Sequence, residues 1–247
     1  MALTATSTKG FERSGSMTGS APLIWDFVAK SNAAITKGAL MSLNNLQTLS
    51  ATTDINKILV AASDTLFIGP AMETKTTTTN PTASETKCKV DINPDSLFRV
   101  TFNNHLDFAC SSAGTTTTVV YASLADTADA NLGGTLYCYA GTNKGESRLV
   151  SDYNDTTTLT VTKAYPVATA VTDYFILLDG DASSSAGIAP GSYVVPNATT
   201  MLTVDTNLTT EDFVAGPLIC LAIHPEDLTM IVKIISHRFN AGVVAAT

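Results

Sequence analysis

"AGTNKGESRLVSDYNDTTTLTV", residues 140–161, supports two readings, and the choice between them decides the fold. Two glycines four apart, a lysine, a serine and an arginine give it the outline of a phosphate loop. A Walker loop needs G-x-x-x-x-G-K-[ST], so that its lysine and hydroxyl reach the phosphates and Mg²⁺. Gly141 and Gly145 are one residue too close for that spacing, and Glu146 stands where the lysine would be. A carboxylate there repels phosphate, and no long helix succeeds it to aim a positive end at an anion. The remainder of the stretch, "RLVSDYNDTTTLTV", is β-patterned. The whole therefore reads as strand, glycine turn, strand, a polar turn at Tyr153-Asn154-Asp155, and strand. Gly141 and Gly145 supply the positive φ that bulky residues resist.

The same alternation runs through the 247 residues. In "LFRVTFNNHLDF", Phe98, Val100 and Phe102 face one way and Arg99, Thr101 and Asn103 the other. "PLIWDFVAK", "AAITKGALMSLNN", "INKILVAA", "DTLFIGPAMET" and "TKCKVDI" are short segments of period near two, broken at Lys37-Gly38, Gly69-Pro70 and Asn80-Pro81. "LTMIVKIISHRF" alternates at Leu228, Met230, Val232 and Ile234, with room for one helical turn in "HPEDLT". Threonine, at roughly one residue in six, adds β-branched bias. The expected fold class is all-β, a small barrel or sandwich followed by a second β-rich domain. Residues 1–20, rich in Ser, Thr and Gly, read as a flexible arm, 21–110 as the first barrel-like domain and 111–247 as the second.

Charge and cysteines narrow the function. A net charge of −8 repels phosphate backbones, so nucleic acid is not an expected partner. No apolar run reaches eighteen residues, so no membrane span is expected, and the opening residues lack the basic start and apolar block of a signal peptide. Cys88, Cys110, Cys138 and Cys220 stand far apart and read as free buried thiols. His105, His224 and His237 form no closely spaced ligand pairs, so neither a metal nor another cofactor is expected. "DYNDTTT" and "LDGDASS" gather oxygen ligands suited to Ca²⁺ but lack EF-hand spacing, and Asx turns account for them. No G-x-S-x-G elbow is present, and His105 reads as a surface or strand-face residue. No catalytic residue is assigned, and the chain is expected not to be an enzyme. A carbohydrate-binding sandwich is an alternative, although the lone tryptophan, Trp25, falls inside an apolar strand and aromatics make up only 7% of the chain.

Two stretches resemble known families. "ITKGALMSLNNLQTLSATTDINKILVAASDTLFIGPAMET" resembles the start of capsid decoration (cement) proteins of tailed bacteriophages, through Lys37, Gly38, Leu40 and Leu43, then Ile68, Gly69 and Ala71. "GTNKGESRLVSDYNDTTTLTVTKAYPVATAVTDYFIL" looks like a segment recurring in phage head and tail proteins. It matches at Gly141, Gly145, Arg148, Val150, Thr158, Leu159, Thr160, Val161, Pro166, Tyr174 and Ile176. The resemblance implies turn-forming roles for Gly38, Gly69, Gly141 and Gly145, with Arg148 as part of the motif. It also implies a structural protein on the outer capsid surface of the virion, made in the host cytoplasm. Its partner would be the major capsid protein, and its assembly a homotrimer. A tail, neck or fibre component is the alternative within the same class.

Overall fold

The computed structural model describes residues 9–30, 32–43, 58–61, 67–78, 87–103, 105–122, 133–154, 157–178, 187–205 and 216–235. The first strands are β1 (Glu12–Ser16), β2 (Ile24–Val28), β3 (Ala34–Ile35), β4 (Leu40–Leu43), β5 (Ile58–Val60), β6 (Phe67–Pro70), β7 (Lys75–Thr76) and β8 (Lys87–Asp91). Next come β9 (Ser96–Asn103), β10 (His105–Ala109), β11 (Thr118–Val120), β12 (Thr135–Ala140), β13 (Ser147–Asn154), β14 (Thr158–Val161) and β15 (Tyr174–Leu178). The chain closes with β16 (Tyr193–Pro196), β17 (Val204–Asp205), β18 (Leu218–His224) and β19 (Thr229–Ile234), with a 3-10 turn at Pro225–Asp227. The expected all-β class is what the molecule has.

β9 is the strand from which the architecture grows. Its apolar face, Phe98, Val100 and Phe102, is buried as its alternation requires. It pairs antiparallel with β19, Val232 opposite Phe98 and Met230 opposite Val100. From there the sheet runs β9-β17-β16-β18-β19 and returns to β9, a closed five-stranded barrel, with β1 added along the first half of β9. Closure leaves the barrel strands no free edge where they pair. Its core joins Phe98, Val100 and Phe102 to Val194, Val204, Leu218, Cys220, Met230, Val232 and Ile234.

One residue past β9 the chain enters a second sheet, curled and six-stranded, in the order β10-β15-β12-β13-β14-β11. One face of this sheet packs Phe108, Leu136, Cys138, Val150, Leu159, Tyr165, Phe175 and Leu177 into its own core. The other turns Ile176 and Leu178 toward the barrel. Between β1 and β9 lie three small sheets, β2-β8, β3-β7 and β5-β4-β6, around Ala29, Ile35, Met41, Ile68, Ala71, Cys88, Val90 and Ile92.

Two expectations about organisation need correction. Residues 1–8 lie outside the described residues, but Glu12–Ser16 of the expected arm is a strand, with Glu12 opposite Arg99 and Ser16 opposite Ser96. Phe11 is buried with its ring edge-on to Phe98, which draws this segment onto the barrel. The expected boundary at 110 does not separate the strands either. β9 closes its barrel with β16–β19 from the other side of that boundary, because their apolar side chains join its buried face in one core.

Candidate interaction surface

The turns marked in the sequence do structural work. Gly38 and Gly145 both sit at positive φ, 86° and 88°. Gly69 is not in a turn as expected but inside β6, opposite Met41. It has φ 131°, and a Cβ there would overlap the Asp91 carbonyl oxygen, so only glycine lets β6 approach β8 this closely. Gly141, at φ 102°, lies against the buried Asp173 carboxylate. That carboxylate accepts from the Thr142 N–H at 2.5 Å, the Asn143 side-chain amide at 3.0 Å and the Ala170 N–H at 3.1 Å. Asn143 in turn donates to the Val167 carbonyl at 3.1 Å, which binds the β12–β13 turn to the 162–173 connection. The strand, glycine turn and strand expected over 140–154 are observed, and β14 pairs back on β13. Tyr153 and Asn154, however, expected in the polar turn, belong to β13 opposite Leu159 and Thr158, while Asp155 lies outside the described residues.

Arg148 belongs to the same joint. Its Nε and Nη2 donate to the Ala164 carbonyl at 3.2 and 3.0 Å, its Nη1 meets Glu146 at 2.8 Å, and its guanidinium lies 4.9 Å from the Tyr165 ring centre. With its donors engaged in this way it is a positioning residue for the connection.

The four cysteines are buried and unbridged. Burial raises the thiols of Cys88 and Cys110 to about 11 and those of Cys138 and Cys220 to about 12, which suppresses the nucleophilic thiolate. His105 lies edge-on to Phe102 at 5.4 Å, and burial lowers its pKa below the usual 6.5. Among the described residues no three His, Cys, Asp or Glu side chains gather to hold a metal. Asp155, Asp179 and Asp181 of the two oxygen-rich turns lie outside the described residues. No helix among the described residues is long and apolar enough to cross a membrane.

Among the described residues, two polar clefts could take a ligand by size. One, of about 220 Å³, is lined by Lys9, Glu12, Arg99, Thr101, Asp227 and Thr229, but Arg99 is already engaged by Asp227 and by Thr229 Oγ1. The other, of about 250 Å³, runs between Tyr137, Tyr139 and Lys144 on one side and Ile223 and Pro225 on the other. Both tyrosine hydroxyls are engaged, Tyr137 donating to the Ile188 carbonyl and Tyr139 to Asp107.

The surface that stands apart runs from Met17 to Val28. Its approach is pinned by a buried carboxylate: Asp91 accepts from Ser96 Oγ at 3.0 Å and lies 3.4 Å from Arg13 Nε. Arg13 also donates to the Ser20 carbonyl at 2.6 Å, and the Asn93 side-chain amide donates to Ser20 Oγ and to the Ala21 carbonyl, both at 2.9 Å. From there β2 pairs with β8, placing Trp25 opposite Val90 and Phe27 opposite Cys88. Yet Trp25 is 55% exposed, Ile24 43% and Val28 42%, with Met17 and Leu23 more than 45% exposed as well.

Sequence reasoning placed Trp25 inside an apolar strand, which it is, but missed its exposure. Period and composition do not say which strand will lie at an edge. The exposed ring removes one objection to sugar stacking. Its neighbours Leu23, Ile24 and Val28, however, offer no hydrogen-bonding groups for sugar hydroxyls, and a protein surface suits them better. Compared with protein-family models, curated proteins and solved structures, the chain matches none of the three.

Proposed function

We propose that the chain is a non-enzymatic structural protein of a tailed-phage virion, a decoration protein seated on the outer capsid surface. The observation that carries this reading is the apolar run Met17–Val28, held at the surface of an otherwise acidic β-protein by the Arg13–Asp91–Ser96 contacts. Large exposed apolar side chains gathered along one stretch mark a surface built for association. The resemblance of residues 35–74 and 141–177 to phage structural proteins supplies the assembly. In support, the motif glycines at positions 38, 69, 141 and 145 all take positive φ. A net charge of −8 favours solubility and discourages adhesion to DNA. The resemblance further implies the major capsid protein as partner and three copies around a shell threefold.

The test is co-sedimentation of purified protein with expanded, undecorated heads of the phage that encodes it. Saturable binding in whole multiples of the threefold sites is the expected result. Absence of binding, with incorporation into tails or fibres instead, would move the chain to the alternative role in the virion.

A further inference from the structure

We infer that β2 pairs edge to edge with β2 of a second copy, across a two-fold axis at Asp26, joining two β2–β8 sheets into one. This goes beyond the decoration reading: of the exposed Met17–Val28 stretch that carries that reading, it assigns Ile24–Val28 to a second copy. Among the described residues, five of the eight exposed large apolar side chains lie between Met17 and Val28, and β2 has a single strand neighbour, β8.

The backbone says which groups face away from β8. The Ile92 N–H donates to the Leu23 carbonyl at 2.8 Å, so Leu23 turns its peptide groups toward β8. With a period of two, Trp25 and Phe27 do the same, while Ile24, Asp26 and Val28 direct theirs to the opposite edge. Such an edge is a template for another extended strand.

The side chains say which strand. Read in either direction from Asp26, Ile24–Val28 has the same character: an aromatic at one step, Trp25 or Phe27, and a branched aliphatic at two, Ile24 or Val28. An antiparallel copy centred on Asp26 therefore sets Ile24 opposite Val28, and Trp25 opposite Phe27, on both sides of the axis. That self-complementarity is what an isologous interface requires. Asp26, Ile24 and Val28 would form the hydrogen-bonded pairs. The aromatic pairs would fall at the non-bonded positions, where side chains come closest.

The two Asp26 carboxylates meet at the axis, which opposes pairing. Lys89 stands opposite Asp26 on β8, and Lys87 opposite Val28. Both lysines are exposed and have no ion-pair partner among the described residues, so the row across the joint reads Lys89, Asp26, Asp26, Lys89 with no net charge.

The experiment is sedimentation equilibrium of the full chain over a concentration series into the millimolar range. Species built on twice 25.8 kDa are expected: a dimer, or a hexamer should trimers also form. A monomer at every concentration, or a trimer alone, overturns the inference, and a trimer alone leaves the decoration reading intact. Asp26→Asn should tighten pairing by about two- to five-fold, the size of a like-charge cross-strand penalty; a weakening overturns the assigned register. I24K/V28K and I24E/V28E should each be monomeric and should pair with one another when mixed. Failure of the folded mixture to pair also overturns the inference.

Discussion

Asp173→Asn tests the joint at the β12–β13 turn with the smallest change of shape. Asp173 is fully buried, and three short hydrogen bonds end on it, from Thr142, the Asn143 side chain and Ala170. The amide keeps an acceptor toward Thr142. Its NH₂, placed where Oδ2 now lies, would face two donors, the Asn143 amide and the Ala170 N–H, at about 3 Å. Two hydrogen bonds to a charged acceptor are lost and two buried donors are left unsatisfied, a cost of about 3–5 kcal/mol. Flipping the amide merely moves the clash to Thr142. Against a total stability of about 5–15 kcal/mol for a typical domain, the urea midpoint should fall by about a fifth or more. Hydrogen exchange should also quicken at 142–145 and 167–170, with the barrel strands affected least. A variant with an unchanged urea midpoint would refute the account of Asp173 as the anchor of this turn.

Three further outcomes are expected. Gly69→Ala places a methyl group against the Asp91 carbonyl at φ 131°, and should cost about 2–4 kcal/mol or abolish folding, as read by thermal unfolding; a neutral result would mean that β6 and β8 can part without loss. The thiols of Cys88, Cys110, Cys138 and Cys220 should resist alkylation at pH 8 in the native protein and react together in denaturant; rapid native labelling of any one would contradict its burial. Because burial lowers the His105 pKa, the unfolded chain takes up the proton first as pH falls through 6.5. Stability should therefore be fully present above that value and decline below it, and His105→Gln should flatten this part of the profile measured by urea unfolding.

Much of the β pattern was legible because burial on one face writes a period of two into the sequence. Phe98, Val100 and Phe102 alternate into the barrel, and Met230, Val232 and Ile234 do the same from the opposite side. The Gly141–Gly145 turn was legible because positive φ selects glycine. What pairs with what was not. Nothing local in β9 specifies β19, 130 residues away, since any strand with a matching apolar face satisfies the pattern. Asp173 reads as an ordinary loop residue in "VTDYF", because its donors come from positions 142, 143 and 170 and meet only in the fold. Trp25 was legible as a strand residue and illegible as a surface one, since its exposure comes from β2 having β8 as its one strand neighbour among the described residues.

The position of β9 between β1 and β19 bears on how the molecule carries force. Both neighbours run antiparallel to β9 and hence parallel to each other. A pull that draws Glu12 and Ile234 apart acts along the strands in opposite directions on the two sides of β9. The hydrogen bonds lie across the strands, so such a pull strains each ladder as a whole instead of opening it one rung at a time. The segments nearest the two ends of the described chain are thus clamped to one central strand in shear, an arrangement that resists tension far better than a peeled edge does.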